Sequence, residues 1–143
     1  MVLICTFEGP QKNKKMDLSS FMKSYAEEIN GNFSEYDANR YVIIVPLKME
    51  RQQAVVAELN AQSDIITITS KVCVANDSIK FKELLNENHR TTYGKFTIAN
   101  DFLNVEYKSP TNSTNENNLK VAIQEIANLA DRWELNITGK DIF

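Results

Sequence analysis

The chain offers few residues to the common chemistries of protein sites: one histidine, two cysteines and four scattered glycines. Nucleophilic catalysis needs an activated group beside a base that is itself held in place. Any histidine-dependent scheme would rest on His89, in the run Asn88-His89-Arg90-Thr91-Thr92. That run reads as a helix end, where a cation is mildly favoured simply by the exposed carbonyls. Cys5 and Cys73 lie 68 positions apart and, with a single histidine, match no CxxC or HxxxH ligand spacing. Glu27 and Glu28 form a carboxylate pair, but adjacent helical residues point to different sides of the helix. Gly9, Gly31, Gly94 and Gly139 are too dispersed to build a phosphate loop. Lys12, Lys14 and Lys15 form a short basic run without interleaved aromatics, which reads as a solvated loop. The residues therefore point to no catalytic, metal or cofactor site, and the expectation is a protein that is not an enzyme.

The elements follow from periodicity. Residues 2–7 (Val-Leu-Ile-Cys-Thr-Phe) read as a short strand closed by Gly9-Pro10. Asp17 is the expected N-cap of a first helix with apolar positions Leu18, Phe21, Met22, Tyr25 and Ile29, and Gly31 its expected C-terminal stop. From Phe33 to Leu47 the pattern is extended, with a turn at Asp37-Ala38-Asn39. Its run Tyr41-Val42-Ile43-Ile44-Val45 is strongly β-branched, and apolar residues fall on both faces. Residues 52–60 fit either two helical turns or, by the alternation of Val55, Ala57 and Leu59, a strand; we read a strand. Residues 65–74 form a clearer strand, with Ile66, Ile68, Ser70 and Val72 on one face and Ile65, Thr67, Thr69, Lys71 and Cys73 on the other.

Asp77 or Ser78 is then expected to cap a short helix burying Phe81, Leu84 and Leu85. Phe96 and Ile98 alternate on one arm of a hairpin, and Leu103, Val105 and Tyr107 on the other, around Asn100-Asp101. Ser113 and Glu116 have capping-box spacing ahead of a last helix with the stripe Leu119, Ala122, Ile123, Ile126, Leu129, Ala130 and Trp133. The order is strand, helix, three strands, helix, two strands, helix. The short links between strands favour an antiparallel α+β fold, with residues 2–7 as an added edge strand.

Composition agrees with one soluble domain over residues 1–143. The apolar fraction of 43% suits a globular core, and 143 residues can bury one without disulfide or metal staples. Nineteen acidic and sixteen basic residues give a net charge of −3, with no broad basic footprint for nucleic acid. Neither a signal-peptide pattern nor a bilayer-length apolar run is evident, so a cytoplasmic location is expected. The two cysteines then read as buried, reduced thiols; a disulfide between them requires that their strands be neighbours.

The second half of the chain resembles a known family. It carries Ile68-Thr69-Ser70-Lys71-Val72-Cys73-Val74, then Leu84-Leu85-Asn86-Glu87-Asn88, then Tyr93-Gly94-Lys95-Phe96, a hairpin arm ending at Tyr107, and the helix from Leu119 to Asp131. This succession resembles the bacterial YbjN-type domain, which shares its fold with type III secretion chaperones. The likeness covers roughly residues 17–135 and is densest from 65 to 131. It implies the order helix, three strands, helix, two strands, helix, and it brings no catalytic residues. It also implies binding of a polypeptide partner, as a chaperone-like or regulatory adaptor, and a homodimer. An apolar sheet face left bare by only three helices points the same way. Trp133, Tyr41 and Ile43 are the candidate partner contacts. The alternative is a small-ligand sensor with a pocket between sheet and helices.

Overall fold

Asp17 starts the first helix as its sequence position predicts: its carboxylate accepts the Ser20 N–H at 3.2 Å. The computed structural model describes residues 16–139, so the strand expected at 2–7, and Cys5 within it, lie outside the described residues. Helix α1 (Leu18–Glu28) buries Leu18, Phe21, Met22, Tyr25 and Ala26 on one side. It ends one residue earlier than Gly31 suggested. Asn30 takes the left-handed conformation (φ 59°), its N–H bonds to Glu27 O, and the Gly31 N–H bonds to Ala26 O at 2.8 Å. This is a Schellman closure with asparagine in the left-handed position. Gly31 is needed for a different reason: a Cβ there would stand 2.4 Å from the Ile44 carbonyl oxygen.

The extended stretch that follows divides into two strands, β1 (Asn32–Asp37) and β2 (Arg40–Pro46). Asp37 makes the division, because its carboxylate accepts both the Asn39 N–H and the Arg40 Nε and folds the backbone back. Strand β3 (Gln52–Asn60) confirms the strand reading of 52–60, and β4 (Ile65–Val74) pairs beside it. Four strands, not three, therefore separate the first two helices. Helix α2 (Phe81–Arg90), the hairpin β5 (Lys95–Ala99) and β6 (Phe102–Pro110), and helix α3 (Glu116–Thr138) complete the described chain. The hairpin turns on Asn100 and Asp101, both at positive φ, the conformation a two-residue primed turn demands.

The six strands form one sheet of order β1-β2-β3-β4-β6-β5, antiparallel at every step. Helix α1 packs on β1 to β3, and α3 on β3, β4 and β6. Both lie on the face carrying Ile43, Val45, Val55, Ala57, Ile66, Ile68 and Val105, all fully buried. Gln53 is also buried there, and it donates to Ser70 Oγ (3.0 Å) and Lys71 O (2.9 Å). That side-chain bridge ties β3 to β4 and pairs polar atoms that burial would otherwise penalise.

Three local expectations are corrected. A bulge between Lys71 and Cys73 shifts the strand's phase, so Cys73 joins Val72 on the buried side instead of pointing away with Thr67 and Thr69. Helix α2 has Lys80 at its N-cap position and no side-chain cap; neither Asp77 nor Ser78 caps it, and Asn76 accepts the Ser78 N–H in the turn ahead of it. Helix α3 is capped by Asn115, which accepts the Asn118 N–H at 2.8 Å; Ser113 instead ends a short 3-10 turn, so no capping box forms.

Cys73 is a buried free thiol. Burial, and after it the charge of Glu134, push its pKa up, which keeps it protonated and unreactive. Alkylation of the native protein should be slow at Cys73 and become fast in denaturant. Rapid native labelling followed by peptide mapping to Cys73 would contradict this placement.

Glu125 of α3 fastens the loop that leads into β5. Its carboxylate accepts three successive backbone N–H groups, from Thr92 (2.9 Å), Tyr93 (2.7 Å) and Gly94 (2.7 Å). Burial raises its pKa, but the three donors together with Lys95 outweigh that and hold it below the ordinary glutamate value. Gly94 lets the loop come close, since a Cβ there would meet Val105 at 2.8 Å and Ile126 at 3.0 Å. A depressed folded pKa means the clamp's contribution is complete above the unfolded value and is lost as pH falls through the folded one. Glu125→Gln should therefore cost about 1–2 kcal/mol at pH 7, the scale of charge-assisted bonds at a partly exposed site. Urea titrations should show the gap to the parent shrinking towards pH 3. An equal gap at both pH values would mean that the carboxylate charge is irrelevant.

Candidate functional site

Because side chains alternate along a strand, burying one face of this sheet under α1 and α3 turns every second residue to the other face. The register aligns those residues into rows. Val42, Val56, Thr69 and Glu106 stand side by side across β2, β3, β4 and β6. One step along the strands, Ile44 is paired with Ala54. One step the other way, Arg40, Glu58, Thr67 and Lys108 make a row of mixed charge. Val42, Ile44, Ala54, Val56, Thr67 and Thr69 are all half-buried by their neighbours alone. None of the three helices packs on them.

The rims of this open face are built from longer side chains. The Arg40 guanidinium pairs with Asp37 at 2.7 Å and lies 4.7 Å from the centre of the Tyr36 ring. Its hydrogen bonds hold the Asp37 carboxyl below, and the Arg40 guanidinium above, their usual pKa ranges. At the hairpin end the Lys71 ammonium sits 4.2 Å from the Phe102 ring centre, a cation–π contact. Asn104 is buried beneath, donating to Phe102 O at 3.0 Å and so bracing the β5–β6 turn. Between the rims lies a shallow depression of about 570 Å³, floored by Val42, Ala54, Val56, Thr67 and Thr69. An apolar, β-branched floor with charges of both signs at its margin suits contact with another surface. It places no nucleophile beside a base.

The residues singled out from the sequence fall elsewhere. Ile43 is fully buried and Tyr41 is 8% exposed, both on the helix-covered face, with the Tyr41 hydroxyl donating to Ala38 O at 2.9 Å. The five-residue apolar run hides the phase of β2, and Val42 and Ile44 carry the open side. The signal that resolves it is charge: Arg40 two residues before Val42, and Glu58 two residues after Val56, mark the solvent phase. Trp133 is half-buried on α3, its ring edge-to-face with Phe96 at 5.8 Å, so it packs with the core. His89 occupies the last turn of α2.

Among the described residues no group of three or more His, Cys, Asp or Glu is gathered as a metal site. No helix among them is long and apolar enough to cross a membrane. Set against known families and curated proteins, the chain matches no family model and no curated sequence.

Proposed function

We propose that this chain is a non-enzymatic polypeptide-binding module, chaperone-like or a regulatory adaptor, and that the open face of the sheet is its binding surface. One observation carries the reading: a contiguous patch of Val42, Ile44, Ala54 and Val56, with Thr67 and Thr69, lies on the side of the sheet that no helix covers among the described residues. The resemblance to YbjN-type domains and type III secretion chaperones supports the same class of activity by analogy alone. Self-association as a two-fold homodimer through this face belongs to the proposal as the resting state, which a polypeptide partner displaces. Six strands about 4.8 Å apart span roughly 24 Å from the first to the last, enough for an interface of standard size.

The test combines light scattering with binding of an unstructured model polypeptide followed by fluorescence anisotropy. The parent chain should run as a dimer at micromolar concentration and bind the polypeptide. Val56→Glu, at a half-exposed site, should leave the circular dichroism unchanged and abolish both. A parent that stays at the monomer mass of 16.3 kDa at all concentrations rejects the dimer. Polypeptide binding that survives Val56→Glu at full strength rejects the open face as the binding surface.

A further inference from the structure

The two edges of the sheet are finished differently. An edge strand presents unpaired N–H and C=O groups that invite another strand, and proteins blunt such edges with charges, bulges or covering elements. Strand β1 carries a bulge between Glu35 and Asp37 and two carboxylates. Among the described residues, strand β5 is covered instead by α2, and one side chain of that helix meets its edge backbone. Asn88 Oδ1 accepts the Phe96 N–H at 2.6 Å, and Asn88 Nδ2 donates to Phe96 O at 3.3 Å. One carboxamide thus reproduces the donor–acceptor pair of an adjacent antiparallel strand.

The helix that delivers Asn88 is weakly rooted in the core. It buries only Leu84, whereas α1 buries five residues and α3 nine. Phe81 and Leu85, expected from their spacing to be buried, are 39% and 66% exposed. The N-terminus of α2 has no side-chain cap. Its remaining ties to other elements are polar: Glu87 pairs with Arg132 of α3 at 2.7 Å, partly solvated and individually weak, and Asn88 O accepts from Lys95 Nζ of β5 at 2.9 Å. The segment just after α2 is held far more firmly. Lys95 Nζ also donates to Thr91 O and Thr91 Oγ within 3.0 Å, and Glu125 clamps Thr92 to Gly94.

We propose that α2 is a detachable cover for the β5 edge, with Asn88 standing in for a neighbouring strand. The helix opens from its Phe81 end about the fixed Thr91–Gly94 anchor. Opening gives up one buried leucine, the Glu87–Arg132 pair and the Asn88 contacts, and leaves Phe96 with a free strand-type donor and acceptor at the sheet edge. The open form is therefore competent for strand addition, while the closed form is not. The inference is independent of what binds the open sheet face, because it concerns an edge and not a face.

Native-state hydrogen exchange read by NMR on the whole chain tests it. In the parent protein at low denaturant, the α2 amides and the Phe96 amide should exchange through a shared opening, at least 100-fold faster than the central amides of β3 and β4. In Asn88→Ala the Phe96 amide should lose at least tenfold further protection, with β3 and β4 unchanged. Two results would each overturn the proposal. One is α2 exchanging in step with β3 and β4 in the parent protein. The other is unchanged Phe96 protection in Asn88→Ala. The first arm needs no variant and stands even if the substitution prevents folding.

Discussion

Ile126→Ala is expected to lower stability by about 2–5 kcal/mol, the range for truncating a fully buried aliphatic side chain. Ile126 is 0% exposed at the middle of the α3 stripe, one helical turn from Ile123, Leu129 and Ala130. It is also the side chain that a Cβ at Gly94 would meet at 3.0 Å, so it packs against the loop that Glu125 clamps. The space left by the truncation is enclosed by the sheet beneath and the loop beside it, which limits how far the surroundings can close in. Urea unfolding should show a lower midpoint with an unchanged slope, the sign of a loss of stability without a change in the surface exposed. A loss below about half a kcal/mol would place α3 outside the core.

Arg51→Ala should be nearly as costly, at about 2–3 kcal/mol. Arg51 sits in the connection between β2 and β3 and reaches α3, where its Nε lies 3.1 and 2.9 Å from the two Asp131 carboxylate oxygens and its Nη2 2.8 Å from one of them. The Asp131 side chain is 5% exposed and that of Arg51 28%. Removing the arginine leaves a carboxylate that water reaches poorly, and breaking a wholly buried pair costs roughly 3–5 kcal/mol. The partial exposure of Arg51 places the effect at the lower end, since solvent screens part of the attraction. Replacing both partners together, Arg51→Met with Asp131→Leu, should recover most of the loss, because the desolvation cost of the pair then disappears as well. Chemical denaturation of the single and double variants checks both statements. A single variant within half a kcal/mol of the parent would mean that the pair does not hold the β2–β3 connection to α3.

Helix α1 and helix α3 were legible because each carries a broad apolar stripe at helical spacing, a signal that tertiary context seldom overrides. Strands β4, β5 and β6 were legible from their two-residue alternation and the Asn100-Asp101 turn. Helix α2 was only half legible. Phe81, Leu84 and Leu85 have the spacing of a buried stripe, yet only Leu84 finds core. The helix docks at a sheet edge, where there is less surface to cover it. The caps expected for α2 and α3, unlike Asp17 for α1, were misplaced for a related reason: Asp77, Ser78, Ser113 and Asn115 are all able acceptors. Which one caps depends on where the preceding strand releases the chain.

Local chemistry alone determined that this chain would be an antiparallel α+β fold, since periodicity and turn residues act over a few positions. The tertiary structure decided what those elements present to a partner. In β2 the run Tyr41 to Val45 is apolar throughout, so nothing local says which alternate residues face the helices. Pairing with β3 sets the phase by opposing Arg40 to Glu58 and Ile43 to Val55, which sends Tyr41 and Ile43 inward and leaves Val42 and Ile44 open. The bulge that turns Cys73 into the core is likewise a property of two strands in register. The Asn88 contact with Phe96 joins residues on separate elements, and it exists only because α2 folds back along the edge. A strand's phase and an edge's cover are relations between segments, so they become defined when those segments pack together.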